Sequence, residues 1–546
     1  MTSRWVLPAY AALLTFAVTA PLIAPGYLLL RDAVSTPRSY LTDAALGVAE
    51  SAPRAVPQDF AVATLSALID GGVVVKVLLM AGLLLAGWGA GRLAGQLLPE
   101  TGLAGQMLAC TLALWNPYVA ERLLQGHWSL LLGYGCLPWV AALVVRIRTE
   151  PTGWPDWAAL AFWIALAGLT PTGLLLATVV ALTAVAVPGS RSPRTLCAPA
   201  ILGIATVAAL PWLTAALLGS ALDSVQSADG VAAFAGRAEP GLGVLGTLAG
   251  LGGIWNADAV PASRTTLFAL PATLVLLAVV ALGLPALLRR PVAVPFVVLA
   301  AASVLLPAAL ATGPGQALLG AAVEAVPGLA VLRDGQKWVA GAMPGYALAA
   351  AGALVTVRPR VRPPAAAALL VTALIAVLPD LAWSVRPVHY PPGWRAVAAT
   401  INADPHTVAV LPPDVVRRFA WAGPAPVLDP LPRWVRADVL STGDLLVAGR
   451  TVAGEGDRAR RVQRLLLDGA DPAALAAAGV GWVVAEGGER LPRLPEVYRD
   501  ADLTLYRVAD PRPDPAPPQR TPVLLAHLAW AALLVVGVGA LARRRR

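Results

Sequence analysis

Apolar residues gather into long runs separated by short polar segments, and spans of roughly 18 to 25 such residues bridge a hydrocarbon core of about 30 Å. The pattern predicts about twelve crossings, near 5–24, 73–96, 101–115, 129–146, two within 157–187, then 196–219, 266–287, 292–312, 338–356, 364–383 and 521–541. The run 157–187 exceeds one crossing and breaks at Thr170-Pro171-Thr172-Gly173. Proline there removes a backbone donor and favours a turn. Gly241 to Ile254 is apolar and glycine-rich but too short to cross, and reads as a re-entrant or interfacial piece. Residues 5–24 have the look of a signal peptide, but the next span follows with matching orientation, so they read as an uncleaved first helix.

The polar segments have a sidedness. Hairpins on one face carry Arg4, Arg92, Arg146, Arg148, Arg191, Arg194, Arg289, Arg290, Arg358, Arg360, Arg362 and the run Arg543 to Arg546, with Glu100, Glu150 and Asp156 as the offsetting acids. Short arginine-rich loops stay cytoplasmic because translocating them is costly. Both termini are therefore expected in the cytoplasm of a plasma-membrane protein whose working face points outward.

Composition agrees with a multi-pass protein. The chain has 546 residues, 57% hydrophobic and 13% charged, with a mean hydropathy of +0.69. The formal charge of +9 is accounted for by topology, so no nucleic-acid partner is expected. Cys110, Cys136 and Cys197 fall in or beside apolar spans and form no disulfide framework or zinc spacing.

At about Trp383 the composition changes. Residues 1–383 read as the membrane bundle, 384–519 as an outward domain of ordinary charge density, and 520–546 as a last span with an arginine tail. His406 to Leu411, Val480 to Ala485 and Leu503 to Val508 read as buried strands, and 392–402, 456–469 and 472–478 as helices. Alternation of the two predicts a small α/β unit, reached from the last span by a proline-rich tether, Pro511 to Pro518, and placed over the outer mouth of the bundle. The fold class is thus mostly α, a polytopic helical bundle with a small extracytoplasmic α/β domain.

Three outward clusters carry candidate chemistry. Gly26-Tyr27-Leu28-Leu29-Leu30-Arg31-Asp32 opens the long first loop, 25–72, and sets Asp32 about two helical turns beyond the first span. Later in that loop Pro57 to Ile69 has the rhythm of a helix lying in the interface. Asp32 is either a loop acid paired with Arg31 or, at the bilayer boundary, part of a site. Asn116 to Trp128 (NPYVAERLLQGHW) brings Glu121, Arg122 and His127 to the same face. Leu332 to Trp338 (LRDGQKW) adds Arg333, Asp334, Gln336 and Lys337 at the start of span ten. A helix would set Arg333 and Lys337 on one side, where two cations suit a lipid phosphate or snorkel to headgroups. With one outward histidine in the bundle no metal ligands are assigned, and a divalent cation held by carboxylates is left open. Trp394, Trp421, Trp434 and Trp482 of the outward domain suit either core packing or sugar stacking.

These stretches, with the later YPPGWRAV, resemble an actinobacterial-type group of membrane proteins related to the GT-C superfamily, glycosyltransferases that use polyprenyl-phosphate sugars. The resemblance implies an inverting transfer from a polyprenyl-phosphate sugar to an envelope glycan or glycolipid acceptor at the outer face. Asp32 would be the catalytic base, and Arg333, Lys337 and Arg122 would bind the donor phosphate. Arg31, Glu121, His127, Asp334 and Gln336 would contact substrate. The superfamily often carries paired acids in its first loop, whereas here Asp32 follows Arg31. Two other classes therefore stay open: a transporter or flippase of a lipid-linked precursor, and a non-catalytic envelope scaffold of the same architecture.

Overall fold

The computed structural model describes residues 3–50, 55–219, 229–358, 362–413, 415–447, 450–452, 454, 456–487, 489–513 and 517–543. Arg360, the Asp514 to Ala516 part of the tether and the terminal Arg544 to Arg546 lie outside them.

The molecule is a multi-pass helical bundle. Among the described residues, seven helices are long and apolar enough to cross a membrane: Val6–Ile23, Gly71–Leu97, Trp128–Thr149, Arg194–Leu218, Ala269–Leu288, Gly335–Val357 and Arg520–Arg543. Val294–Leu310 and Gly313–Ala325, bent 90° at their break, make an eighth if counted as one. The expected count of about twelve is not confirmed. Gly102–Leu114, Trp154–Ala167, Pro171–Val185 and Pro363–Ala376 have 13 to 15 residues, about 20 Å at 1.5 Å per residue. Hydropathy locates such runs, but caps decide where they end. Thr170 accepts from Gly173 N at 3.0 Å with Pro171 at the first helical position, which turns the anticipated break into a clean helix start.

Gly71–Leu97 packs centrally against Trp128–Thr149, and small residues allow the approach. A Cβ on Gly82 would stand 2.6 Å from Leu132 Cα, and one on Gly135 would stand 2.2 Å from Gly82 O. Close backbone contact at small residues drives helix association in lipid. Arg290 pairs with Glu100 at 3.0 Å, Arg148 donates to Val187 O at 3.3 Å, and Arg543 lies 5.4 Å over Trp154. Hairpins bearing the predicted arginines thus meet at one end of the bundle.

The α/β unit caps the other end. Its four-stranded sheet has the spatial order Val408–Leu411, Trp482–Glu486, Leu503–Arg507, Glu496–Arg499, parallel at the first pair and antiparallel at the others. Side chains alternate between two cores. Val408, Val410, Trp482, Val484, Leu503 and Leu505 face Trp394, Ile401 and Trp434. Ala409, Leu411, Val483, Ala485 and Tyr506 face Val462, Leu466 and Leu475. With both faces covered, the strands read as continuous apolar runs. Trp394, Trp434 and Trp482 are core residues, and Trp421 stacks on Phe419 at 5.0 Å. The edge strand Glu496–Arg499 is exposed and charged, without the apolar alternation that marks a strand in sequence.

The long first loop ties this unit down. Tyr27 and Val388 exchange backbone hydrogen bonds of 2.8 and 2.9 Å. Tyr390 Oη donates to Ser35 O at 2.9 Å, and Arg433 pairs with Asp59 at 3.1 Å. Asp59 sits on the helix Gln58–Leu65, within the stretch read as interfacial.

Candidate functional site

Asp32 does not lie on a continuation of the first helix. The chain leaves Ala20–Ile23 and forms a hairpin, Leu29–Leu30 with Ala33–Val34, whose two-residue turn is Arg31-Asp32. Arg31 has φ +49°, a left-handed conformation that a non-glycine residue adopts only where its surroundings hold it. Its guanidinium donates to Leu124 O at 2.6 Å and to Asp258 O, so Arg31 is held by backbone carbonyls and not by the neighbouring carboxylate. Asp32 N donates to Gln125 O at 3.1 Å, docking the turn on the link between Pro117–Leu124 and Trp128–Thr149. Gly126 makes this contact possible. Its φ is +83°, and a Cβ there would stand 2.4 Å from both Leu30 O and Ala33 N.

A buried chain of polar side chains runs inward from Asp32. Asp32 Oδ2 accepts from His127 Nε2 at 2.8 Å and Gln125 Nε2 at 3.1 Å. His127 Nδ1 lies 3.1 Å from Arg122 Nη1. A guanidinium only donates, so Nδ1 is the acceptor and the ring is the neutral tautomer with its proton on Nε2. Burial depresses the His127 pKa and outweighs the pull of Asp32, in agreement with that state. Burial by itself pushes the Asp32 carboxyl up, but the hydrogen bonds from His127 and Gln125, with the Lys337 charge, hold it below the usual carboxylate range. Its side chain is 40% exposed although protein surrounds it, because it stands at the floor of a wide cavity.

Arg122 is fully buried. It binds Asp334 through two hydrogen bonds of 2.8 and 2.9 Å and also donates to Gln336 Oε1. Gln336 Nε2 in turn donates to Glu121 Oε2 at 3.0 Å. Glu121 accepts from Gly253 N at 3.1 Å and Ile254 N at 3.0 Å, both from the glycine-rich stretch read as re-entrant. Burial and the Glu239 charge push the Glu121 carboxyl up to about 8, while these three N–H donors favour its ionised form.

The cavity above this chain has a volume of about 960 Å³. Asp32, His127, Arg333, Asp334 and Lys337 line its floor, Tyr40 and Asp59 one side, and Thr170 to Thr172 with Trp212 another. Its roof is the underside of the α/β unit. Three segments remote in sequence therefore meet at one opening. Lys337 Nζ is 3.8 Å from Asp334 Oδ2, and the Arg333 guanidinium lies 5.2 Å over the Phe234 ring. The two cations do not share a helix face. Arg333 follows the 3-10 helix Pro327–Leu332, and Lys337 sits in a second one, Gly335–Ala342. The turn at Asp334 brings both to the cavity.

Four expected contact residues do not reach it. Arg122, Glu121 and Gln336 are fully buried and absent from the lining, because their hydrogen-bonding groups are engaged with one another. Arg31 points to the backbone behind the hairpin. Conversely, Gln125 touches Asp32 although only its place in QGHW marks it in the sequence. Arg417, Asp429 and Gln463 reach the cavity from far downstream with no local signal. Among the described residues no group of three or more His, Cys, Asp or Glu side chains is arranged to hold a metal ion.

No family model matches the sequence and no curated protein is significantly similar to it. The structure is similar to a cryo-EM structure of arabinofuranosyltransferase AftD from Mycobacteria, with a TM-score of 0.55 and 17% identity. The match covers 93% of this chain and 42% of that one, so the chain spans about two fifths of that protein. At this identity the likeness is one of fold, a helical bundle with an α/β unit at one end.

Proposed function

We propose that this protein is a membrane glycosyltransferase that transfers a sugar from a polyprenyl-phosphate donor to an envelope glycan or glycolipid at the outer face of the plasma membrane. The observation that carries the reading is the meeting of Asp32, Lys337 and Arg333 at one cavity within a GT-C-type fold. With His127 neutral and the buried Arg122 balancing Asp334 from behind, Lys337 and Arg333 face the single carboxylate of Asp32, which leaves the floor net positive. Such a floor favours a phosphodiester over a neutral lipid.

In this mechanism the acceptor hydroxyl attacks the anomeric carbon as the bond to the phosphate oxygen breaks. Asp32 takes the hydroxyl proton, and polyprenyl phosphate leaves with the bonding electrons, stabilised by Lys337 and Arg333. Arg122 acts from behind as a positioning residue, holding His127 in the tautomer that donates to Asp32. Asp334 and Gln336 hold Arg122, and Glu121 anchors Gln336. An arabinofuranosyl donor is the first to try, given the neighbour's activity. The test is incubation of the protein in liposomes with polyprenyl-phosphoryl pentoses and hexoses and glycan or glycolipid acceptors. Covalent transfer is expected. A folded preparation that transfers none of them, or that moves a lipid-linked sugar across the bilayer without product, overturns the proposal.

The pH profile follows from the pair at the floor. Asp32 must be ionised, so kcat/KM falls as pH drops through its pKa, which lies below the ordinary carboxylate range. His127→Ala removes a hydrogen bond that favours the carboxylate and is expected to move this acid limb to higher pH. An unmoved limb separates Asp32 from the step that the profile reports.

A further inference from the structure

The cavity has a second polar pole that the mechanism above does not use. It lies in the roof, where Arg417 and Asp429 line the wall and Glu486, at the end of the strand Trp482–Glu486, stands beside Arg417. Arg417 Nε donates to Glu486 Oε2 at 2.8 Å, and Arg417 Nη2 is 3.9 Å from Asp429 Oδ2. All three residues are more than nine-tenths buried, at 5%, 7% and 7% exposure. Arg417 Nη1 nonetheless has no hydrogen-bond partner. Glu486 Oε1 is unpartnered as well, so the cluster keeps hydrogen-bonding capacity unused beside a cavity that Arg417 and Asp429 line, which a ligand on this wall can draw on.

The charge of this cluster selects the class of ligand. Asp429 and Glu486 set two carboxyl groups around the one guanidinium, and burial with the Asp429 charge pushes the Glu486 carboxyl well up. The cation of Arg417 is then balanced by Asp429, and the wall does not attract an anion as the floor does. It offers a forked donor beside a carboxylate acceptor, a pairing that suits adjacent sugar hydroxyls. Tyr40 lines the same cavity, with the Arg38 and Arg436 guanidinium groups 5.0 and 5.2 Å from its ring centroid, and its hydroxyl can donate to or accept from a ligand. Gln463 extends the polar wall from the helix Asp457–Leu467.

Strand register sets this pole near Asp32. Arg417 pairs with Val427, and Val427 forms a bridge with Arg31. Leu428 and Asp32, the next residue of each strand, both line the cavity. Neighbouring strands lie about 4.8 Å apart, and Arg417 is two strands over from Arg31, so the roof cluster stands about 10 Å, or roughly two sugar rings, from the proposed base.

We propose that Arg417, Asp429, Tyr40 and Gln463 bind a neutral sugar residue of the acceptor glycan, with Glu486 orienting Arg417. The acceptor role rests on the sugar-transfer reading, but binding is testable without turnover. Full-length Asp32→Asn protein in nanodiscs is titrated with octyl arabinofuranosyl and octyl mannosyl disaccharides and, separately, with polyprenyl monophosphate. Saturable binding of at least one disaccharide is expected. Asp429→Asn and Arg417→Lys are expected to weaken it about tenfold or more, and the part-exposed Gln463→Ala about threefold, with polyprenyl phosphate affinity retained. Absence of disaccharide binding overturns the assignment, as does affinity unchanged in all three variants. Loss of phosphate binding in parallel, in all three variants, also overturns it, because that reports collapse of the whole cavity. Should either buried substitution prevent folding, Gln463→Ala and Tyr40→Ala decide. Disaccharide binding that depends on this wall without sugar transfer by the parent protein leaves the subsite standing and removes the transferase reading. Transfer with binding indifferent to the wall does the reverse.

Discussion

Replacing Asp32 with asparagine is expected to lower the rate of sugar transfer on the order of 10² to 10⁴-fold, the range for loss of a general base. Geometry should survive the change. The asparagine carbonyl still accepts from His127 Nε2, and the side chain is part-open at the cavity floor, so no buried charge is stranded. The loss should therefore appear in kcat, with donor affinity and melting temperature close to the parent. Single-turnover transfer beside a thermal melt distinguishes the cases. A rate within about threefold of the parent would show that another group takes the proton, since base removal costs at least a hundredfold.

Arg122→Met should be the most damaging single change to stability. The substitution leaves Asp334 buried without its two-point partner and takes the donor away from both His127 Nδ1 and Gln336 Oε1. Removing one member of a buried ion pair costs about 3–5 kcal/mol, softened here by Lys337 at 3.8 Å. Arg122→Lys should recover only part, because one ammonium cannot serve both carboxylate oxygens and the amide in a fixed plane. The pH dependence carries a sign. In the parent, burial raises the Asp334 carboxyl, but Arg122 and Lys337 outweigh it and hold it at about 2. Its contribution to stability is thus full above the unfolded value of about 4 and is lost as pH falls towards 2. In Arg122→Met the folded-state pKa should rise above the unfolded one, so the deficit should shrink as pH falls from 7 towards 5. Melting temperatures across that window, in parent and variant, report it directly. A deficit that is constant with pH would mean that Asp334 is not the stranded group.

The α/β unit was the most legible region. The strand Val408–Leu411 lies within the stretch His406 to Leu411, and the helix Pro392–Ala403 agrees with 392–402 to within a residue. Both rest on local signals, an apolar run and a proline at the helix start. Legibility fails where the backbone answers to a distant partner. The Arg31-Asp32 turn forms because Pro426 to Leu428 and Gln125 hold it from outside, so the local sequence reads only as the opening of a long loop. Arg333 and Lys337 look like a helical pair at spacing four, yet the backbone there runs as two 3-10 segments of about three residues per turn.

Hydropathy and the arginine pattern alone were enough to establish a multi-pass bundle with a polar unit before the last helix, because the cost of placing apolar or charged groups in lipid is paid residue by residue. They also named Asp32, His127, Arg333 and Lys337 as polar groups near the membrane boundary. Only the tertiary structure decided which polar residues face the cavity and which are sealed beneath it. Arg122 looks like an exposed phosphate ligand in sequence and becomes the buried hub behind His127, whereas Arg417, with no signal of its own, lines the roof. The reason is physical: a buried polar group must find partners, and those partners come from residues 132 to 212 positions away, as Glu121 with Gly253 and Arg122 with Asp334 demonstrate.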